Sequence, residues 1–200
     1  MNKSVISWSD IVVAAADLEV EPCAISAVCQ VESSGSGFLG SGLPKILFEG
    51  HIFWRELKKH GEDPEKYASA HGSILYPKWT RAHYRGGNAE YDRLEEACAI
   101  HRCAALKSAS WGTFQIMGFN HKSCGYNNVE DFVEAHRNYA NEHLFAFCGL
   151  LHSNKWHYHL RNRDWASFAK CYNGPGYAEN RYDVRLAKAY DECIGAQKKL

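Results

Sequence analysis

One carboxylate in the first forty residues is placed for proton chemistry. Glu32 ends the run from Pro22, in which Ala24, Ile25, Val28 and Val31 recur at helical spacing and so face a core. At the last turn of a helix the unpaired carbonyls carry partial negative charge, and Val28 and Val31 withhold water from one side. Both effects disfavour ionisation and raise a carboxyl pKa. An acid still protonated near neutral pH is what cleavage of a glycosidic bond requires of its proton donor. A solvated glutamate fraying off a helix end is the other reading of the same position.

Two further stretches stand out. From Ser110 to Gly118 a pair of glycines frames Trp111, Thr113, Phe114, Gln115, Ile116 and Met117. Gly112 permits a close approach of backbone or ligand, and the Gln115 amide offers one donor end and one acceptor end. Trp111 and Phe114 fit a core equally well. The third stretch, Tyr172-Asn173-Gly174-Pro175-Gly176-Tyr177, is a turn by composition. It is either an aromatic rim with amides between, suited to sugar faces and hydroxyls, or a plain corner between helices.

The remaining reactive side chains form no such set. His136 and His143 stand seven apart on one predicted face, and His157 and His159 flank Tyr158, but no further ligand follows at a metal-site spacing. Satisfied surface or core histidines are the expectation, with no metal and no cofactor. The eight cysteines lack Cys-x-x-Cys brackets and mostly lie in apolar helical contexts, which predicts mostly reduced, structural thiols.

The elements that must carry these residues are mainly helical. Ser9 or Asp10 can cap a helix through Leu18, and Pro22 opens the one that ends at Glu32, with Gly35 suited to a left-handed cap. Ile46–Phe48 reads as a short strand entering a helix near Ile52–His60. Helices are further predicted from Asn88 to about Lys107, from Asn128 along Phe132, His136, Tyr139, His143 and Phe147, after an Asp164 cap, and over about Glu179–Cys193. Residues 61–87, rich in Gly, Pro, Tyr and His, show no period. The class is mainly α, or α+β with a minor strand region.

Composition bounds the rest. Of 200 residues 46% are hydrophobic and 23% charged, numbers of a globular chain. Twenty-three basic against 23 acidic side chains leave no net charge, which argues against a nucleic-acid binder, although residues 101–200 are modestly basic. The longest apolar stretch, Leu144–Leu151, is far short of a membrane span, and the first residues carry no signal-peptide pattern.

The three motifs, in this order, resemble those of the lysozyme-like fold shared by goose-type lysozymes and soluble lytic transglycosylases. The likeness is closer to the N-acetylmuramidase family of bacteriophage endolysins. It is carried by Val31–Phe38, by Lys45-Ile46-Leu47-Phe48-Glu49-Gly50-His51, by Ser110–Asn120 and by Asp164–Tyr182, and spans roughly residues 10–190. Two departures from the transglycosylase pattern, Gly118 after Gln-Ile-Met and Gly174-Pro175 after Tyr-Asn, favour the muramidase branch.

The resemblance implies one catalytic domain over residues 1–200 that cleaves the β-1,4 bond between N-acetylmuramic acid and N-acetylglucosamine. Glu32 becomes the acid. Glu49, in the motif Leu-Phe-Glu-x-His, is either the second carboxylate, facing Glu32 across an open cleft, or a holder of its loop, with His51 as an orienting neighbour. Ser110, Trp111, Gln115, Met117, Asn120, Tyr172, Asn173, Tyr177 and Tyr182 are the implied substrate-binding residues. A lytic transglycosylase forming 1,6-anhydromuramic ends and a non-catalytic wall-binding protein are the alternatives. The implied partner is the glycan strand of peptidoglycan, met by a monomer that is made in a host cytoplasm and reaches the wall through holin-type lesions.

Overall fold

The structure, a computed structural model, describes residues 4–32 and 36–198. Helix α1 (Trp8–Asp17) starts two or three residues earlier than expected: Ser7 is its cap, and Ser7 and Asp10 bond each other's backbone N–H in a capping box. Helix α2 (Pro22–Glu32) opens at its proline as predicted. The proposed left-handed cap at Gly35 lies outside the described residues. Strand β1 (Ile46–Phe48) leads through Glu49 into α3 (Gly50–Lys59), and a single turn, α4 (Glu65–Ala68), follows. Helix α5 (Ala89–Lys107) is kinked at His101, whose backbone is extended.

The stretch after α5, where no helix or strand is predicted, contains two strands. β2 (Ala109–Trp111) and β3 (Ile116–Met117) pair antiparallel, and β2 also pairs antiparallel with β1, placing Ile46 opposite Trp111 and Ser110 opposite Met117. The sheet order is β1-β2-β3. The single helix expected from Asn128 through Phe147 is two, α6 (Val129–Asn138) and α7 (Ala140–Ser153), broken where Tyr139 turns extended at φ −145°, ψ 154°. Short α8 (His157–Arg161) precedes α9 (Trp165–Asn173), which is capped by Asp164 through the Ser167 N–H. The last helix, α10 (Tyr182–Gln197), is shifted towards the C-terminus from the expected span.

The core collects the apolar faces of these helices around α2, whose Ile25, Ala27 and Val28 are fully buried. Phe53, Phe132, Phe147 and Phe168 fill it from α3, α6, α7 and α9. Helix α10 packs along α2, and a disulfide between Cys23 and Cys193 joins the pair. That bridge is the exception to the expectation of mostly reduced thiols, since the other six cysteines remain thiols: Cys23 and Cys193 face each other across packed helices although 170 residues separate them. Cys124 and Cys148 remain buried thiols in the core. Among the described residues no helix is long and apolar enough to cross a membrane.

Candidate active site

Helix α2 delivers Glu32 to the surface at its last residue, half-buried. Helix α9 ends beside it, and the Asn173 side-chain N–H donates to a Glu32 carboxylate oxygen at 3.2 Å. Burial raises the Glu32 pKa above the ordinary carboxylate value, while the Asn173 bond and the nearby Arg185 guanidinium pull it down less strongly. Arg185 is itself tied to the chain at this point, donating to the Val31 carbonyl at 3.2 Å. The other end of the Asn173 amide, Oδ1, is buried and has no hydrogen-bond partner among the described residues.

Two hollows meet at Glu32. One, of about 350 Å³, is bounded by Lys45, Leu47, Gly112, Thr113 and Gln115. The other, of about 400 Å³, is bounded by Gln115, Met117, Asn120, Trp156, Tyr172 and Asn173. Glu32 and Gln115 line both, so a groove runs past the acid in two directions. A larger hollow of about 450 Å³, bounded by Trp8, Gln30, Glu192 and Cys193, contains none of the predicted site residues.

The wall between the hollows is the turn joining β2 and β3. Gly112 and Gln115 both have left-handed backbones there, φ +68° and +48°. The Gln115 amide spans the turn. It donates to the Gly112 carbonyl at 2.8 Å and the Lys45 carbonyl at 3.3 Å, and accepts from the Ser110 hydroxyl at 2.9 Å. Its predicted donor and acceptor are therefore engaged by the protein's own groups.

Beneath the turn lies His143, fully buried. Its Nδ1 accepts the Thr113 N–H at 3.1 Å, so the proton sits on Nε2, which donates to the His136 carbonyl at 2.7 Å. The two imidazoles stack at 4.8 Å, and Phe38 covers His143 at 4.9 Å. His136 donates in turn to the Phe132 carbonyl, and burial pushes its pKa down to about 3. Both rings are neutral props of the turn. Among the described residues no group of three or more His, Cys, Asp or Glu is placed to hold a metal.

Of the predicted binding residues, Gln115, Met117, Asn120, Tyr172 and Asn173 come together on the groove. Tyr172 is anchored there by its hydroxyl, which donates to the Phe114 carbonyl at 2.8 Å. Ser110 is buried and serves Gln115. Trp111 is 0% exposed, its indole N–H bonded to the Leu106 carbonyl at 3.2 Å, so it packs in the core and does not reach the groove. Tyr177 and Tyr182 are half-buried against the core and line neither hollow. Thr113, within the Ser110–Asn120 stretch, borders the groove too, while Lys45 and Trp156 border it without having been predicted to; neither lies in a pattern that distinguishes a groove from an ordinary surface.

Glu49 follows Lys45 and Leu47 at the two-residue period of a strand, on the half-exposed side of β1, but lines neither hollow. The Tyr84 hydroxyl lies 2.8 and 2.7 Å from its two oxygens. His51 approaches to 3.3 Å, with burial lowering the imidazole pKa.

Residues 21–193 match the model of a family described as N-acetylmuramidase. Among solved structures, the crystal structure of the endolysin of Burkholderia phage AP3 is similar at a TM-score of 0.90 and 41% identity, over 96% of this chain and 73% of that one. No curated protein matches the chain.

Proposed function

Because the chain belongs to the N-acetylmuramidase family, whose members degrade peptidoglycan, we propose that it hydrolyses the β-1,4 bond between N-acetylmuramic acid and N-acetylglucosamine. The observation that carries this reading is Glu32: an acid with a raised pKa, at the meeting point of two hollows that leave room for sugars on both sides of a scissile bond. Glu32 gives its proton to the leaving oxygen of N-acetylglucosamine as the bond to the anomeric carbon breaks. Water attacks that carbon, and Glu49, outside both hollows in the free protein but next along the side of β1 from which Lys45 and Leu47 border the groove, takes the proton that the water loses. Asn173 Oδ1, without a hydrogen-bond partner among the described residues, accepts a hydrogen bond from an acetamido N–H or a hydroxyl of the bound glycan. Tyr172 and Trp156 supply faces for the sugar rings.

In this reading the chain is a single catalytic domain acting as a monomer on the cell wall, after release from the cytoplasm through holin-type lesions. The similarity to a phage endolysin supports the site of action. So does the Cys23–Cys193 disulfide, a bond that persists in oxidising compartments.

The test is mass spectrometry of muropeptides released from purified sacculi. Wild-type protein is expected to release products ending in reducing N-acetylmuramic acid, convertible by borohydride. Glu32→Gln is expected to fold and to lose at least about two orders of magnitude in rate, the scale of a lost general acid. Anhydro ends resistant to borohydride would replace hydrolysis by transglycosylation, and a fully active Glu32→Gln variant would remove Glu32 from the mechanism.

A further inference from the structure

Between α4 and α5 the chain has turns and bends but no regular element among residues 69–88. It is nevertheless fastened to the strand that carries Glu49, and by a costly device. Glu90 and Arg93, one turn apart on α5, form an ion pair at 2.8 Å in which both side chains are fully buried.

The pair grips two pieces of chain at once. On the strand side, Glu90 accepts the Phe48 N–H at 3.0 Å and Arg93 donates to the Phe48 carbonyl at 2.9 Å, so the residue before Glu49 has both backbone groups bound. On the loop side, Arg93 donates to the Ser73 carbonyl at 3.1 Å, and Glu90 accepts the Arg85 and Gly86 N–H groups at 2.6 and 3.1 Å. The loop is held at both ends, and it reaches back to the strand through two phenols. Tyr76 accepts the N–H of Gly50, the residue after Glu49, at 3.3 Å. Tyr84 donates to the Glu49 carboxylate itself.

A buried ion pair is a poor source of stability, because desolvation consumes most of its Coulomb gain and a hydrocarbon pair of the same volume does as well. What hydrocarbon cannot do is fix these five backbone polar groups in direction. Burial and the bond to Glu49 hold the Tyr84 phenol well above its ordinary pKa, so it remains a donor across the working pH range. A carboxylate on a side chain with three rotatable bonds is thereby confined to one orientation.

Resting on the role given to Glu49 above, we infer that Tyr84 is a positioning residue for the hydrolysis: its phenol fixes the Glu49 carboxylate, and the buried Glu90–Arg93 pair sets the Tyr84 loop against that carboxylate. Removing the hydroxyl leaves the ring, the loop and the pair in place, and frees Glu49 to turn.

The experiment measures kcat and KM on solubilised uncrosslinked peptidoglycan strands for the wild type, Tyr84→Phe, Glu49→Gln and the double variant, with a thermal melt of each. Tyr84→Phe is expected to lower kcat about tenfold, the scale of one charge-assisted hydrogen bond. Its KM and melting temperature should stay close to wild type, and it should add nothing in the Glu49→Gln background. If Glu49→Gln is impaired while Tyr84→Phe keeps full kcat, the positioning role is wrong and the Glu49 reading stands. If Tyr84→Phe costs as much in the double variant as alone, or acts through a lowered melting temperature, its effect does not pass through Glu49 and the inference is overturned. A fully active Glu49→Gln variant removes the role of Glu49 and, with it, that of Tyr84.

Discussion

Glu32 owes its chemistry to a balance among three neighbours. Burial opposes the anion, and the Asn173 amide and the Arg185 guanidinium favour it, with burial the stronger. A group that must arrive protonated works below its own pKa, so in the proposed mechanism activity is lost as pH rises through that of Glu32. Asn173→Ala removes a donor that stabilises the anion. The alkaline limb of the kcat/KM profile is therefore expected to move to higher pH, and KM to rise by about threefold to tenfold as Asn173 Oδ1 is lost to the glycan. An unmoved limb would show that the amide does not tune the acid. At this scale the sequence told much: the helix period ending at Glu32 and the turn after Tyr172 located both residues. It did not tell that Trp111 is core and Gln115 self-satisfied, because composition near a glycine does not say which way a side chain points.

The groove wall depends on an element too short to announce itself. β2 and β3 have three and two residues, fewer than strand alternation needs to show, so the stretch reads as a loop. The helices before and after it were legible from caps and period, but the break at Tyr139 was not. The apolar spacing continues across it without a glycine or proline, and only the break lets His136 and His143 stack under the turn. Those rings leave no space above them: a Cβ on Gly112 would lie 2.7 Å from the His143 Nδ1. Gly112→Ala combines that clash with a left-handed backbone, and is expected to cost about 1–3 kcal/mol in urea melts and to reduce turnover by displacing Thr113 and Gln115. The loop carrying Tyr84 was illegible for a different reason. It has no period of its own, and its shape is imposed by two α5 side chains buried against a strand some forty residues earlier.

Across the whole molecule, α2 is the common member: α1, α10 and the groove all meet it, with Cys23 near its start and Glu32 at its end. A cross-link over 170 residues restricts the unfolded chain by about 5 kcal/mol in the chain-entropy treatment. Replacing Cys23 and Cys193 with serine should lower the melting temperature by many degrees. Turnover measured well below the melt should stay near wild type, because nine residues of helix, about 13 Å, separate the bridge from Glu32. The bridge also changes what the backbone is as an object. From Cys23 to Cys193 the covalent bonds close a ring, with Glu32 and Asn173 both on it. A protease that cuts once in the irregular stretch between α4 and α5 opens the ring and releases nothing. The two halves of the groove, one bearing the acid and the other its amide partner, stay tethered until a second cut or a reductant parts them.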